Sequence, residues 1–236
     1  MLPQRGNILI SILIPTRNEA KAIEPLLHLV QKGLKEFDYE VIIIDKSDDE
    51  TPDIIQKFVN TRIKIIHQQN KGYGDAYKLG FKSSKGSSIV FIDGDMTYNP
   101  LYIPRFIRRL EDKDVDLVIG RRILTKGSMP STHVFGNLIL SRLIQFLFNS
   151  KIQDTQCGLR AIKKQALQRL DLHEKGMSFA AEMVIESTIK KLHVAEVTFL
   201  YRERVGKRKL NTIRDGFYIG YFIVKRWIQN VFHQFS

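Results

Sequence analysis

Two aspartates separated by a single glycine, Asp93-Gly94-Asp95, are the residues of this chain best placed to do chemistry. They follow the apolar run Ser-Ile-Val-Phe-Ile, which is typical of a buried β-strand. Two carboxylates at the end of a strand can share a hard divalent cation, and that cation can bridge the oxygens of a diphosphate. The same spacing also occurs in surface turns, so the preceding strand is what favours metal binding over that alternative.

Two other polar segments follow predicted strands in the same way. Residues 45–51, Asp-Lys-Ser-Asp-Asp-Glu-Thr, offer carboxylates that can accept hydrogen bonds from a nucleobase or from ribose hydroxyls. Asp48 or Asp49 can alternatively cap the next helix. In residues 15–19, Pro-Thr-Arg-Asn-Glu, Asn18 is a candidate helix cap and Glu19 a candidate ligand-facing residue.

Several common nucleotide and hydrolase motifs are missing from the sequence. The glycine-rich stretch 70–76 does not fit the dinucleotide-binding pattern G-x-G-x-x-G, because its third glycine would fall at Tyr77 and the pattern should follow the first strand. We find no Walker phosphate loop, no zinc-binding H-E-x-x-H and no G-x-S-x-G nucleophile turn. Nicotinamide-dependent, P-loop and serine-hydrolase chemistry are therefore disfavoured.

The elements that must position these residues alternate between strands and helices. Four runs are rich in β-branched residues, at 8–14, 41–45, 63–67 and 88–93. Each is followed by a polar turn and then by residues with helical spacing. A fifth strand is predicted at 116–120. This rhythm predicts an α/β fold with a mostly parallel sheet covered by helices, and in such sheets ligands bind beyond the carboxyl ends of the strands.

Two amphipathic helices are predicted after residue 120. In the first, at about 132–149, Ser141 lies on the polar side, opposite an apolar face of Phe135, Ile139, Leu140, Leu143, Phe146 and Leu147. The second, at 211–235, is basic and rich in aromatic residues. Such helices can lie in a membrane interface or dock on a partner. They can also pack on the core of their own domain, and for each helix both the interfacial and the packed interpretation stay open.

Charge and composition narrow the partners. The chain has 236 residues, with 37 Lys and Arg against 25 Asp and Glu, so its net charge is +12. This excess favours an anionic partner: nucleic acid, a phosphorylated small molecule or an acidic membrane surface. The single cysteine, Cys157, excludes an intramolecular disulfide and suits a reducing compartment, and we find no apolar stretch of about 18 residues that could span a bilayer.

Together these segments resemble the family 2 glycosyltransferases of GT-A fold, and within them the dolichol-phosphate mannose synthase-like group. The resemblance covers most of the chain. Its first half rests on four segments in order: 12–19 (ILIPTRNE), 44–51 (IDKSDDET), 70–76 (NKGYGDA) and 93–95 (DGD). Its second half rests on 120–122 (GRR), 154–160 (DTQCGLR), 178–182 (SFAAE) and 204–210 (RVGKRKL).

The resemblance implies a role for individual residues. The expected nucleotide-sugar-binding residues are Pro15, Thr16, Asn18, Glu19, Asp45, Asp48, Lys71, Asp93 and Gly94. The expected catalytic residues are Asp95, Arg122 and Arg204, and the expected ligands of Mg²⁺ or Mn²⁺ are Asp93 and Asp95. The expected acceptor-phosphate residues are Arg122, Arg160, Arg204 and Lys209. Three positions depart from the family pattern: Lys46, Thr97 and Arg208. The identity of the sugar donor and of a third protein ligand to the metal therefore stays open.

The resemblance also implies a domain plan. Residues 1–210 form the catalytic GT-A domain, with 1–120 binding the nucleotide sugar and 121–210 binding the acceptor. Residues 211–236 form the C-terminal amphipathic helix, which binds a membrane surface or a small membrane-protein partner. The expected location is cytoplasmic, peripheral at the cytoplasmic face of a membrane.

The implied activity is transfer of a sugar, preferably mannose from GDP-mannose, onto a polyprenyl phosphate with inversion at the anomeric carbon. Such an acceptor is largely ionised near neutral pH, since its second pKa is about 6. A strong general base is therefore dispensable, which agrees with the absence of an obvious catalytic triad.

Several alternatives remain. The same fold can use UDP-glucose or a UDP-N-acetylhexosamine, or a protein or saccharide acceptor. The charge of +12 also suits a nucleic-acid-binding protein, but acidic residues at the strand ends would repel a phosphate backbone, so no nucleic-acid partner is expected. A non-catalytic scaffold that kept the fold is a further alternative. A processive polysaccharide synthase is disfavoured, because Ile223 stands where its Q-x-x-R-W signature needs glutamine.

Overall fold

A computed structural model describes residues 8–70, 72–206 and 212–234. One seven-stranded sheet forms its centre, in the order β3-β2-β1-β4-β6-β5-β7. The strands are β1 (Ile10–Thr16), β2 (Tyr39–Asp45), β3 (Ile63–His67), β4 (Ser88–Phe91), β5 (Leu117–Leu124), β6 (Arg160–Lys163) and β7 (Val194–Tyr201). Only β6 runs antiparallel to its neighbours β4 and β5, so the expected mostly parallel α/β sheet is confirmed.

Helices connect and cover the strands. They are α1 (Ala20–Gly33), α2 (Thr51–Gln56), α3 (Tyr73–Ser83), α4 (Ile103–Leu110), α5 (Ser131–Phe148), α6 (Lys164–Leu167), α7 (Phe179–Ile189) and α8 (Thr212–Gln234). In α1 the buried residues Ala22, Ile23, Leu26, Leu27 and Val30 recur at helical spacing, which seats one face of that helix on the core.

All five predicted strands are present; β3 has the predicted ends, and the other four differ by one or more residues. β1 runs from Ile10 to Thr16 rather than 8–14, and β5 extends to Leu124, so β5 crosses the expected division at residue 120. The strands β6 and β7 were not predicted from the sequence. β6 has only four residues and gains its extended form from pairing on both sides, a nonlocal contact that local periodicity does not reveal.

The helix α5 buries only part of the apolar face predicted for it: Leu140 is buried and Leu143 and Leu147 pack against the core. Leu140, Ser141 and Ile144 are buried, whereas Phe135 is 65% exposed and Phe146 is 85% exposed. The interpretation in which the predicted apolar face packs on the domain is therefore wrong for its outer residues. Ser141 can be buried because its hydroxyl lies 3.0 Å from that of Thr155 and accepts a hydrogen bond from the Thr155 amide.

The expected C-terminal helix is confirmed as α8, which packs mainly against α5. Its inner residues Ile219 and Ile223 are buried. Its outer surface is apolar and exposed, at Ile213, Phe217, Tyr218, Tyr221, Val224, Ile228 and Phe232. None of the described helices combines the length and the hydrophobicity needed to cross a bilayer.

Candidate active site

The turns after β1 and β2 are joined to each other at the carboxyl edge of the sheet. Asn18, in a left-handed conformation with φ 51°, accepts a hydrogen bond from the Asp48 amide at 2.8 Å. Its own amide donates to the Ser47 hydroxyl, and the Glu19 amide donates to the Thr51 hydroxyl at 2.9 Å. Two segments that the sequence analysis singled out separately therefore form one surface.

Asp45 is fully buried beneath this surface. Its Oδ1 accepts hydrogen bonds from the Thr16 hydroxyl at 2.7 Å and the Ser47 hydroxyl at 2.6 Å, while Oδ2 accepts from the Ser47 amide. Asp45 thus shapes the turn in this conformation, and the exposed Asp48 offers the more accessible carboxylate. Neither Asn18 nor Asp48 caps a helix through its side chain in the way the sequence suggested.

The Asp93-Gly94-Asp95 segment lies beside this surface, directly after β4. A Cβ added at Gly94 would lie 2.9 Å from the Thr16 methyl and 3.2 Å from the Pro15 carbonyl oxygen, so only glycine fits against the end of β1. Asp95 is buried, and its Oδ1 accepts hydrogen bonds from the amide and the hydroxyl of Thr97. Pro15 and Thr16 at the end of β1 thus lie against Gly94, and Asp95 follows directly.

Arg204 enters this cluster from the segment after β7. Its Nη1 donates to Asp95 Oδ2 and its Nη2 donates to Glu19 Oε1, and the arginine side chain is 17% exposed. The backbone on either side is also attached, because the Val205 amide donates to the Asp95 carbonyl and the Arg202 amide to the Thr97 carbonyl. The structure thus places a cation between two carboxylates at the edge where ligands bind in α/β sheets.

Asp93 experiences an unusual electrostatic environment. Burial and the charge of Asp95 raise the pKa of Asp93 to about 7. Hydrogen bonds from the hydroxyls of Tyr73 and Tyr77 oppose this shift by stabilising the carboxylate. Because the two carboxylates repel each other, a positive charge next to them is favourable.

The donor set at this edge fits a divalent cation. Carboxylate oxygens are the ligands that Mg²⁺ and Mn²⁺ prefer, and the Arg204 guanidinium already occupies a cationic position beside Asp95. Among the described residues, no cluster of three or more His, Cys, Asp or Glu side chains is arranged to hold a metal. Asp93 and Asp95 stay the predicted protein ligands of the cation, and a bound diphosphate would supply further oxygens.

Arg122, on the outer half of β5, is held in a fixed orientation. Its Nε and Nη2 donate to the two carboxylate oxygens of Asp154 at 2.7 and 2.6 Å. The guanidinium carbon lies 5.4 Å from the centre of the Tyr201 ring. Burial and the charge of Asp95 raise the pKa of Tyr201 to about 12, while Arg122 lowers it, so Tyr201 lies within electrostatic reach of both groups.

Arg160 does not fit the expected role in binding the acceptor phosphate. It is 3% exposed, and its Nε, Nη1 and Nη2 donate to the carbonyls of Cys157, Ala180 and Thr155. These bonds fix the loop before β6 against α7, so we assign Arg160 a structural role. Two further expected site residues, Lys71 and Lys209, lie outside the described part of the chain.

Some contacts within the site were not predicted from the sequence. Thr97 and Tyr98, just after the aspartates, bind Asp95 and the Gly158 amide respectively. Tyr73 and Tyr77 bind Asp93. Tyr73 lies in the segment 70–76 of the family resemblance, and the i, i+4 spacing of Tyr73 and Tyr77 at the start of a helix places both side chains on one face.

Comparison with known proteins decides the family. A family model described as glycosyl transferase family 2 matches residues 11–171. The chain belongs to glycosyl transferase family 2. Among relatives of this family 2 glycosyltransferase, a dolichyl-phosphate hexose transferase of Haloferax volcanii is 34% identical over 218 residues, covering 92% of each chain. The low-salt glycan biosynthesis hexosyltransferase Agl6 of the same organism is 31% identical, and the alignment covers 88% of this chain but only 51% of Agl6.

Solved structures share the fold of this family 2 glycosyltransferase. Mannosyl-3-phosphoglycerate synthase from Rubrobacter xylanophilus has a TM-score of 0.75 at 16% identity, over 96% of this chain and 74% of that chain. Glucosyl-3-phosphoglycerate synthase from Mycobacterium tuberculosis, in complex with Mn²⁺, UDP and phosphoglyceric acid, has a TM-score of 0.71 at 19% identity, over 85% of this chain and 72% of that chain. The expected GT-A fold is thereby confirmed.

Proposed function

We propose that this family 2 glycosyltransferase transfers a hexose from a nucleotide diphosphate sugar to a polyprenyl phosphate such as dolichyl phosphate, with inversion at the anomeric carbon. The preferred donor is GDP-mannose. The observation that carries the proposal is the contact of Arg204 with both Asp95 and Glu19 beside Asp93. The relative of similar length that is named a dolichyl-phosphate hexose transferase supports the acceptor class.

In the proposed reaction, a phosphate oxygen of the acceptor forms a bond to the anomeric carbon, and the bond from that carbon to the diphosphate breaks. The nucleoside diphosphate leaves with the bonding electrons. No proton has to be removed from the acceptor, since a phosphate monoester is already largely ionised near pH 7. The chain therefore has to orient two anions and stabilise the charge that develops on the leaving group.

Individual residues divide this work. The joined turns that carry Asn18, Glu19 and Asp48 would bind the nucleoside, with Asp45 fixing their shape. Asp93 and Asp95 would hold Mg²⁺ or Mn²⁺, which when bound neutralises charge on the diphosphate. Arg204 would exchange its carboxylate partners for phosphate oxygens, and the preoriented Arg122 would contact the acceptor phosphate.

The basic character of the chain and its exposed apolar helices suit an acceptor that resides in a membrane. The outer faces of α5 and α8 present large apolar side chains, including Phe135, Phe146, Phe217 and Tyr221, each more than 60% exposed. Exposed basic residues such as Arg214 and Lys225 accompany them. We propose that these faces lie on an anionic membrane surface at its cytoplasmic side, because apolar burial and attraction to acidic lipids act together there.

The reaction is tested by transfer of labelled sugar from GDP-mannose, UDP-glucose or UDP-N-acetylglucosamine into an organic-extractable lipid, with polyprenyl phosphate and Mn²⁺ or Mg²⁺. We expect labelled lipid from GDP-mannose and a loss of at least about 100-fold in Asp95→Asn, the scale of losing one electrostatic contact to the transition state. Asp112→Asn, an exposed aspartate paired with Arg109, is the control. No labelled lipid from any donor would overturn the proposed reaction, and labelling from a UDP-sugar alone would overturn the donor.

Membrane association is tested by flotation with vesicles containing acidic phospholipid or neutral phospholipid only. We expect the protein to float with acidic vesicles and the double variant Phe217→Ser, Tyr221→Ser to float less, because it has less exposed apolar surface. Both side chains are exposed, so their replacement does not disturb the core. Equal recovery of wild type and variant would contradict a membrane-facing α8 and favour a protein partner.

A further inference from the structure

Two tyrosines of α3 hold the carboxylate of Asp93 from one side. The Tyr73 hydroxyl donates to Asp93 Oδ1 at 3.0 Å, and the Tyr77 hydroxyl donates to the same oxygen at 3.2 Å. The two residues are four apart, so their side chains lie one turn from each other on the same face of the helix. Their rings meet edge to face, with centroids 4.9 Å apart.

The Tyr77 hydroxyl is held at Asp93 by the packing of its ring. The Tyr77 ring is fully buried, with its centroid 5.0 Å from that of Phe91 and 5.8 Å from that of Phe179. The aromatic packing thus fixes the Tyr77 hydroxyl at Asp93, and the edge-to-face contact of the two rings supports Tyr73 beside it.

The opposite side of Asp93 is limited by backbone. A Cβ added at Gly158 would lie 2.8 Å from Asp93 Oδ2 and 2.9 Å from the Tyr73 hydroxyl oxygen. Gly158 is itself fixed, because its amide donates to the Tyr98 hydroxyl at 2.8 Å. Asp93 Oδ1 is therefore held by two phenols, while glycine at position 158 keeps the space beside Oδ2 free of a side chain.

We propose that Tyr73 and Tyr77 are positioning residues that commit Asp93 Oδ1 to their hydroxyls and leave Oδ2 to coordinate the divalent cation. The inference rests on the proposed function, since it assigns the metal to Asp93 and Asp95. Residues that orient a metal ligand and stabilise its charge contribute to affinity without touching the metal. An aspartate with free rotamers would have to be ordered when the cation binds, whereas this one is ordered beforehand.

The test measures Mn²⁺ binding to the full chain through the electron paramagnetic resonance signal of free Mn²⁺. It is done with Mn²⁺ alone and with UDP or GDP added. The variants are Tyr73→Phe, Tyr77→Phe and their double combination, each of which removes only hydroxyl oxygens. We expect each single variant to weaken Mn²⁺ binding about tenfold or more, the scale of one hydrogen bond to a charged group. Tyr39→Phe is the matched control, since that buried tyrosine lies at the amino end of β2, away from the site.

A second readout separates positioning from folding. In the transfer assay we expect the KM for Mn²⁺ to rise while kcat at saturating Mn²⁺ stays near wild type, and thermal unfolding to match that of Tyr39→Phe. Mn²⁺ binding that is unchanged in both single variants and the double variant would overturn the positioning role alone. If wild type binds no Mn²⁺ under any of these conditions, the metal part of the proposed function is overturned together with this inference.

Discussion

The ion pair between Glu186 of α7 and Arg226 of α8 allows a quantitative test of how the C-terminal helix is attached. Glu186 is fully buried, whereas the Arg226 side chain is 24% exposed. Glu186 Oε2 also accepts a hydrogen bond from the Asp171 amide at 3.3 Å. Replacing Arg226 by methionine retains most of the packing of its stem but leaves a buried carboxylate without its counter-ion.

The expected cost follows from this geometry. Removing one partner of a buried pair destabilises a protein by about 3–5 kcal/mol. The low end applies here, because the Asp171 amide remains bound and a cavity of about 610 Å³ beside the pair, lined in part by Phe222 and Gln229, admits water. At roughly 2–4 °C per kcal/mol for a chain of this size, a loss of about 3 kcal/mol lowers Tm by about 6–12 °C.

Urea and thermal unfolding of Arg226→Met measure this cost. Lys225→Met is the matched control, because Lys225 is exposed and its replacement should change stability by no more than about 0.5 kcal/mol. The double variant Glu186→Gln, Arg226→Met removes the buried charge and should recover most of the loss. The reasoning is refuted if Arg226→Met is as stable as Lys225→Met, or if the double variant is no more stable than Arg226→Met.

Two further predictions concern the site and the single cysteine. Arg204→Gln should bind Mn²⁺ about tenfold more tightly by calorimetry, because the guanidinium that competes for Asp95 is gone. Sugar transfer by this variant should fall. Weaker Mn²⁺ binding would show that Arg204 does not compete with the metal. Cys157 should react with iodoacetamide about 1000-fold more slowly in the native protein at pH 8 than in urea, since burial raises the pKa of its thiol to about 12 and leaves a thiolate fraction of about 10⁻⁴. Equal rates in mass spectrometry would contradict its burial.

Much of the candidate site could be predicted from sequence, because its residues directly follow strands with strong apolar patterns. β1, β2 and β4 are neighbours in the sheet and run parallel, so the polar residues after each of them meet at one edge. The positions of Glu19, Asp48 and Asp95 follow from this rule alone. The family resemblance added roles to these residues, and the family itself is confirmed.

The contacts that act across long stretches of chain could not be predicted. Arg204 meets Asp95, 109 positions away, and Glu19, 185 positions away. Arg160 has the same charge as Arg204 and also lies in a segment of the family resemblance, yet its guanidinium binds backbone carbonyls inside the protein. A basic side chain binds whichever oxygens the fold places near it, and only the tertiary structure determines those neighbours.

The sequence by itself determined the alternation of strands and helices, the edge of the sheet where the acidic residues gather and the presence of a C-terminal amphipathic helix. These features depend on local periodicity and on the parallel direction of neighbouring strands. Only the tertiary structure decided that α5 buries Ser141, that Arg204 joins two carboxylates and that two tyrosines fix Asp93. Each of these outcomes depends on which distant groups are close enough to satisfy a buried polar atom, and local pattern carries no information about that distance.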